Sequence, residues 1–113
     1  MTPEDLIRIR HMLDAVKEAL EFSKDKCRDD LDNNRMLSLA IIKELEIIGE
    51  AASKITSELK ARQPHIPWID IAGMRNRLTH GYFDIDLDLV WTTVQEDLPL
   101  LLGQLEIMVV ARG

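Results

Sequence analysis

The sequence has few residues that form covalent or metal cross-links, and no long apolar run. Cys27 is the single cysteine among 113 residues, so the chain can form neither an internal disulfide nor a thiolate metal cage. A reducing cytosol is the natural compartment for such a chain. No apolar run approaches the roughly 20 residues that span a bilayer, and the chain opens with Glu4 and Asp5 where a signal peptide would open basic. The sequence therefore predicts a cytoplasmic protein without a membrane segment.

Metal-binding patterns are also missing. The three histidines are far apart in the sequence and form no paired motif, which a catalytic or structural metal site usually needs. Three closely spaced acids, Asp84, Asp86 and Asp88, precede or open a predicted helix, where carboxylates favour the positive helix end. We therefore expect no metal site and no resident cofactor.

Acidic residues outnumber basic ones over the whole chain, but one segment reverses this balance. The net charge of -6 argues against a protein that coats nucleic acid non-specifically, because neutralising phosphates requires a basic surface. Residues 53–80 nevertheless hold five basic and two acidic residues, together with two of the three histidines. A phosphate-bearing ligand is therefore expected beside this segment.

Apolar residues at helical spacing are abundant, whereas no stretch alternates with the period of two typical of strands. Thr2 and Pro3 are typical of a helix start, and apolar residues then recur every three or four positions to about Ser23. Residues 24–34 are almost wholly polar, which indicates a connection with one or two helical turns at most. This pattern predicts an amphipathic first helix.

Residues 35–61 contain no proline and one glycine, so the sequence predicts one long helix there. Its apolar residues form two stripes, which predicts that the helix is either central in a bundle or buries one face against a second chain. We favour a homodimer, because so small a domain has few helices to surround this one. The first stripe is Ile41, Leu45, Ile48, Ala52, Ile55 and Leu59, and the second is Met36, Ala40, Ile47 and Ala51.

Prolines and glycines divide the rest of the chain. The two prolines of residues 63–68 predict a stiff, extended link, and Gly81 is expected to end a short helix over residues 69–80. Asp84 or Asp86 would cap a last helix that is kinked or restarted at Pro99. The fold class is therefore all-α, an antiparallel bundle of four to five helices in a single domain, residues 1–113.

The stretch that could support chemistry is Arg75-Asn76-Arg77-Leu78-Thr79-His80-Gly81-Tyr82. A histidine can exchange a proton near neutral pH, and a guanidinium can hold two phosphate oxygens. On a regular helix Arg75 points about 140° away from His80. The two therefore converge only if the helix distorts or a second chain contributes. Arginine and histidine near a helix end are also commonly no more than favourable electrostatics.

The string Arg75-Asn76, three residues, His80, one residue, Tyr82 resembles the signature of HepT-type toxins of the HEPN superfamily. Similarity to that family also extends along the chain, through Ile48-Gly49-Glu50-Ala51, Pro67-Trp68, Ile85-Asp86 and Val90-Trp91. The resemblance implies a metal-independent ribonuclease, the toxin of a toxin–antitoxin pair. It also implies a homodimer in which both copies of the motif face one cleft.

The resemblance assigns roles to individual residues. Arg75 and His80 are implied as catalytic, Asn76 as a polar support, and Tyr82 as the residue that a partner nucleotidyltransferase antitoxin modifies with AMP from ATP. Arg77 is a candidate RNA contact on charge alone, and a solvated arginine explains it equally well.

Two other functions fit the same sequence. The bundle could be a non-catalytic subunit that helps a nucleotidyltransferase hold a nucleotide or another substrate. It could also be a purely structural dimerisation module, in which case the motif would be coincidental.

Overall fold

The described chain is helical, as the apolar spacing predicts. The computed structural model describes residues 1–78 and 84–112, and within these ranges it contains helices and no β-strand. The elements are α1 (Pro3–Ser23), α2 (Arg28–Asn33), α3 (Arg35–Ser53), α4 (Ser57–Arg62), α5 (Trp68–Ala72), α6 (Met74–Leu78), α7 (Leu87–Thr92), a π-helical turn (Thr93–Asp97) and α8 (Leu98–Arg112). The predicted all-α bundle is confirmed.

The first helix has the predicted bounds. The Thr2 hydroxyl accepts a hydrogen bond from the Asp5 N–H at 3.0 Å, and Pro3 occupies the first helical position. One face of α1 is fully buried against α3 and α8, because its apolar residues recur at helical spacing. These core residues are Ile9, Met12, Leu13, Val16 and Ala19.

The prediction of a single helix over residues 35–61 is wrong, because one helix ends at Ser53 and a new helix begins at Ser57. Thr56 has extended backbone angles, and its hydroxyl accepts a hydrogen bond from the Leu59 N–H at 3.3 Å. The buried Asp5 carboxylate accepts the Thr56 N–H at 3.0 Å and the Thr56 hydroxyl at 2.6 Å. This contact places the start of α1 beside the end of α3, so the two helices run antiparallel.

The same contact changes the acidity of Asp5. Burial by itself raises the pKa of the Asp5 carboxyl, but the hydrogen bonds from the Thr56 hydroxyl and N–H lower it further, so the pKa lies below its ordinary value. The carboxylate is therefore ionised, and both of its oxygens accept hydrogen bonds that join α1 to the start of α4.

The predicted short helix over residues 69–80 is also corrected. It begins one residue earlier, at Trp68, and is interrupted at Gly73 to give α5 and α6. Trp68 is buried, and its indole N–H donates to the Gln63 carbonyl at 3.0 Å, which anchors the proline-rich link. The predicted end of this helix, at Gly81, lies outside the described residues.

The last helical stretch starts and restarts where the sequence indicates. Asp86 caps α7, because its carboxylate accepts the Leu89 N–H at 3.0 Å. A π-helical turn precedes α8, in which Pro99 is the second residue. Since a proline ring conflicts with a regular carbonyl one turn earlier, the wider turn accommodates Pro99.

The predicted stripes on α3 differ in burial. Every member of the first stripe is buried within the chain. In the second, Met36 is 80% exposed, Ala40 and Ile47 are half-buried, and Ala51 is buried.

Glu44 is a buried acid on α3, beside Glu18 of α1. Burial raises the pKa of the Glu44 carboxyl, and the neighbouring Glu18 carboxylate raises it further.

None of the helices within the described ranges combines the length and apolar character needed to cross a membrane.

Candidate active site

Helix α6 presents three of the motif residues. Met74 and Leu78 are buried, one turn apart, and fix the helix to the core. Arg75, Asn76 and Arg77 lie between these anchors and are all exposed. The short helix therefore holds one apolar edge inside the bundle and offers its polar residues to solvent.

Arg75 lines a groove of about 530 Å³ between α1, α3 and α6, which we call the α1–α3 groove. Its Nε lies 3.8 Å from a carboxylate oxygen of Glu46, and the two side chains are 73% and 33% exposed. A pair so open to water adds little stability, but it restrains the arginine against the wall of the groove. The other lining residues are Arg8, His11, Lys43, Ile47, Glu50, Ala51 and Lys54.

Arg77 lies elsewhere. It lines a second cavity of about 290 Å³ between α5, α6 and α8, where Asp97 is also found. The two arginines therefore face different surfaces of the molecule, as expected for residues two positions apart on a helix. Asn76 lines neither of these two cavities.

Two of the predicted site residues, His80 and Tyr82, lie outside the described residues. The chain on either side of residues 79–83 is firmly held, because the Asp86 N–H donates to the Leu78 carbonyl at 2.7 Å. Arg28 adds a second attachment through its Nε, which donates to the Asp88 carboxylate at 2.7 Å. The end of α6 is thus fixed beside the start of α7, and α7 is also joined to α2.

Metal ligands do not assemble in the part of the chain that the structure describes. No group of three or more histidines, cysteines or acids there could hold a metal ion. Cys27 is exposed with a free thiol, and its backbone N–H donates to the Asp30 carboxylate at 2.7 Å at the start of α2. Asp86 and Asp88 serve as a helix cap and an ion-pair partner, in agreement with their interpretation as helix-start acids.

Sequence analysis missed three cationic or titratable side chains of the groove. Arg8 and His11 come from α1 and Lys43 from the middle of α3, all outside the positive segment of residues 53–80. Their spacing places Arg8 near His11, and Lys43 on the face of Ile47 and Lys54. The sequence therefore shows which of these residues share a helix face. It does not show that these faces of α1 and α3 meet, because packing between the helices decides that.

A family model and individual relatives of this chain point to the same protein family. The model of the family described as ribonuclease HepT-like matches residues 12–108. A "Putative RNase" of Methanocaldococcus jannaschii is 39% identical over 97 residues, covering 86% of this chain and 89% of that protein. A "Probable ribonuclease HepT" of Thermococcus cleftensis is 38% identical over 98 residues, covering 87% and 89%. No solved structure matches the chain.

A more distant bacterial relative agrees. A "Putative RNase" of Caldanaerobacter subterraneus is 32% identical over 98 residues, covering 87% of this chain and 88% of that protein. The matching family model and all three relatives are described as ribonucleases. The chain belongs to the HepT-like ribonuclease family.

Proposed function

We propose that this chain is a metal-independent endoribonuclease and that Arg75 and His80 are its catalytic residues. The observation that carries the proposal is the placement of Arg75 on the wall of an open groove, in a chain that belongs to a ribonuclease family. Asn76, the next residue along α6, is also exposed and is proposed as a polar support.

The proposed reaction uses the substrate's own 2′-hydroxyl as nucleophile. One His80 removes the proton of the 2′-hydroxyl, which attacks the adjacent phosphorus, and a second His80 donates a proton to the departing 5′-oxygen. Arg75 stabilises the negative charge on the pentacoordinate phosphorus. The P–O5′ bond breaks as the new P–O2′ bond forms, so the products are a 2′,3′-cyclic phosphate and a 5′-hydroxyl.

The use of two histidines requires two chains, and we propose a homodimer built on α3. Met36 is 80% exposed and Leu39 is 46% exposed near the start of this helix, and burial of such side chains favours association. A second chain also removes the geometric difficulty that Arg75 and His80 point apart on one regular helix.

We further propose that the protein is the toxin of a toxin–antitoxin pair. In this proposal a partner nucleotidyltransferase transfers AMP from ATP to the Tyr82 hydroxyl, and pyrophosphate leaves. AMP beside the site adds negative charge and bulk, which compete with the RNA phosphate for the cationic groups.

The test is the replacement of His80 by alanine, with His65→Ala as the matched control, because His65 is exposed and lies in the same positive segment. We expect His80→Ala to abolish RNA cleavage and toxicity with unchanged helical circular dichroism, and His65→Ala to cleave normally. Wild-type products should end in a 2′,3′-cyclic phosphate, and EDTA should have no effect. Cleavage by purified, folded His80→Ala protein would refute the assignment, and strict dependence on Mg²⁺ would refute the metal-independent reaction.

A further inference from the structure

The α1–α3 groove collects positive charge on a chain whose net charge is -6. Four cationic side chains line it, Arg8, Lys43, Lys54 and Arg75, together with two acids. Glu46 lies 3.8 Å from Arg75, and Glu50 lies 3.1 Å from the Lys54 ammonium. Within the described residues neither Arg8 nor Lys43 has an acid within 4.0 Å, so the groove has a surplus of positive charge.

The lysines extend this charge along the helix. Lys43 lies on α3 and Lys54 directly follows the last residue of that helix; eleven residues at 1.5 Å per residue correspond to about 16 Å. This distance is too long for one phosphate, so the two lysines would contact separate phosphates of a bound strand. Arg75 joins this line beside Glu46, between the two lysines.

Arg8 has an unsatisfied donor at the same place. Its Nε is buried and has no hydrogen-bond partner among the described residues, which is costly for a guanidinium N–H. Phosphate oxygens are the acceptors that a guanidinium binds best, through two parallel hydrogen bonds. Arg8 therefore brings a guanidinium, a group that binds phosphate through paired N–H donors, to the wall of the groove.

We propose that the α1–α3 groove binds the sugar–phosphate backbone of single-stranded RNA beyond the phosphate that is cut, through Arg8, Lys43 and Lys54. This inference rests on the proposed function. A groove of about 530 Å³ is too small for a duplex, and its four cationic side chains favour the phosphates of a single strand. The contacts are therefore to phosphates, which are independent of sequence.

The experiment measures binding of a fluorescent 2′-O-methyl oligoribonucleotide, which lacks the attacking hydroxyl, by anisotropy at several salt concentrations. The double variant Lys43→Gln, Lys54→Gln is compared with the control Lys17→Gln. Lys17 is exposed to solvent and lies on the opposite side of α1 from Arg8, about 180° around the helix. Each lost phosphate contact should reduce the salt slope by about 0.7. We expect a reduction of about 1.4 and roughly 25-fold weaker binding at 0.1 M salt, with no change in Lys17→Gln.

Other outcomes are decisive. The inference is overturned if the double variant has the same affinity and salt slope as Lys17→Gln. It is also overturned if the double variant becomes a monomer, because the groove would then be an interface between copies. The proposed function is tested separately by cleavage of ordinary RNA by the wild type. If the wild type cleaves RNA and the double variant binds normally, only the groove assignment fails.

Discussion

Gly49 of α3 packs directly against the backbone carbonyl of Ile71 in α5. A Cβ at position 49 would lie 3.0 Å from that oxygen and 3.9 Å from the Met74 Cβ. The missing side chain therefore sets how closely α5 and α6 approach α3, and with them the position of Arg75 on the groove wall.

Replacing Gly49 by alanine should displace α5 and α6, because a backbone oxygen cannot rotate away as a flexible side chain can. The matched control is Gly103→Ala in α8, where a Cβ meets nothing within 4 Å and alanine should stabilise by about 0.5–1 kcal/mol. We expect the free energy of unfolding of Gly49→Ala, measured with urea, to be lower than that of the control by about 1–3 kcal/mol. We also expect this variant to lose cleavage. Equal stability and activity in the two variants would show that the contact does not position Arg75.

The Asp5 carboxylate should make stability depend on pH. Because its pKa is lowered in the folded protein, its contribution is present above the ordinary value of about 3.9 and is lost as the pH falls through the lower folded-state pKa. Asp5→Asn should cost about 1–3 kcal/mol at pH 7, and this difference from wild type should shrink below about pH 4. Urea unfolding at several pH values measures it. Asp14→Asn, an exposed acid on the same helix, should show neither effect.

A charge on the open part of α3 should separate the proposed dimer. Met36→Glu, at a side chain 80% exposed, should shift the mass in solution towards the monomer and lower cleavage in parallel, without loss of helicity. Ile107→Glu, at a side chain 69% exposed on α8, is the control and should leave the mass unchanged. Sedimentation at micromolar concentration measures both. Dissociation by Ile107→Glu alone would place the interface on α8.

Tyr82→Phe keeps the ring and removes only the acceptor oxygen. After incubation with the partner nucleotidyltransferase and ATP, intact-mass spectrometry should show AMP on the wild type and none on the variant. The variant should fold, cleave RNA, and resist silencing by the partner. An AMP adduct on Tyr82→Phe would place the acceptor at another residue.

Local patterns were sufficient to predict much of the fold. Thr2, Asp86 and Pro99 act over one helical turn, through a hydroxyl, a carboxylate and a missing N–H, so their effects can be inferred from the sequence alone. The bounds of α1 and the restart before α8 follow from such residues. The buried stripe on α3 follows from helical spacing in the same way.

Contacts between distant residues account for the errors. The hydroxyl of Thr56 can cap a helix, but the group that satisfies the Thr56 N–H is the carboxylate of Asp5, 51 positions earlier. The groove raises the same difficulty. Arg8 and Lys43 join Arg75 only because α1, α3 and α6 pack together, so a search for charge along the sequence finds the segment that holds Arg75 and misses the other two.

The hydrogen bond from the Asp86 N–H to the Leu78 carbonyl joins the last residue of α6 to the residue that caps α7. This bond holds the end of α6 beside the start of α7, and the Arg28–Asp88 pair holds α7 to α2, so the two ends of a segment inserted after position 78 would already be held together. Doubling the length of such a closed segment costs only about 0.6 kcal/mol in closure entropy. The bundle therefore accepts a change of chain length at this point at a small cost in free energy, and the spacing between Arg75 and the groups that follow position 78 can vary on one scaffold.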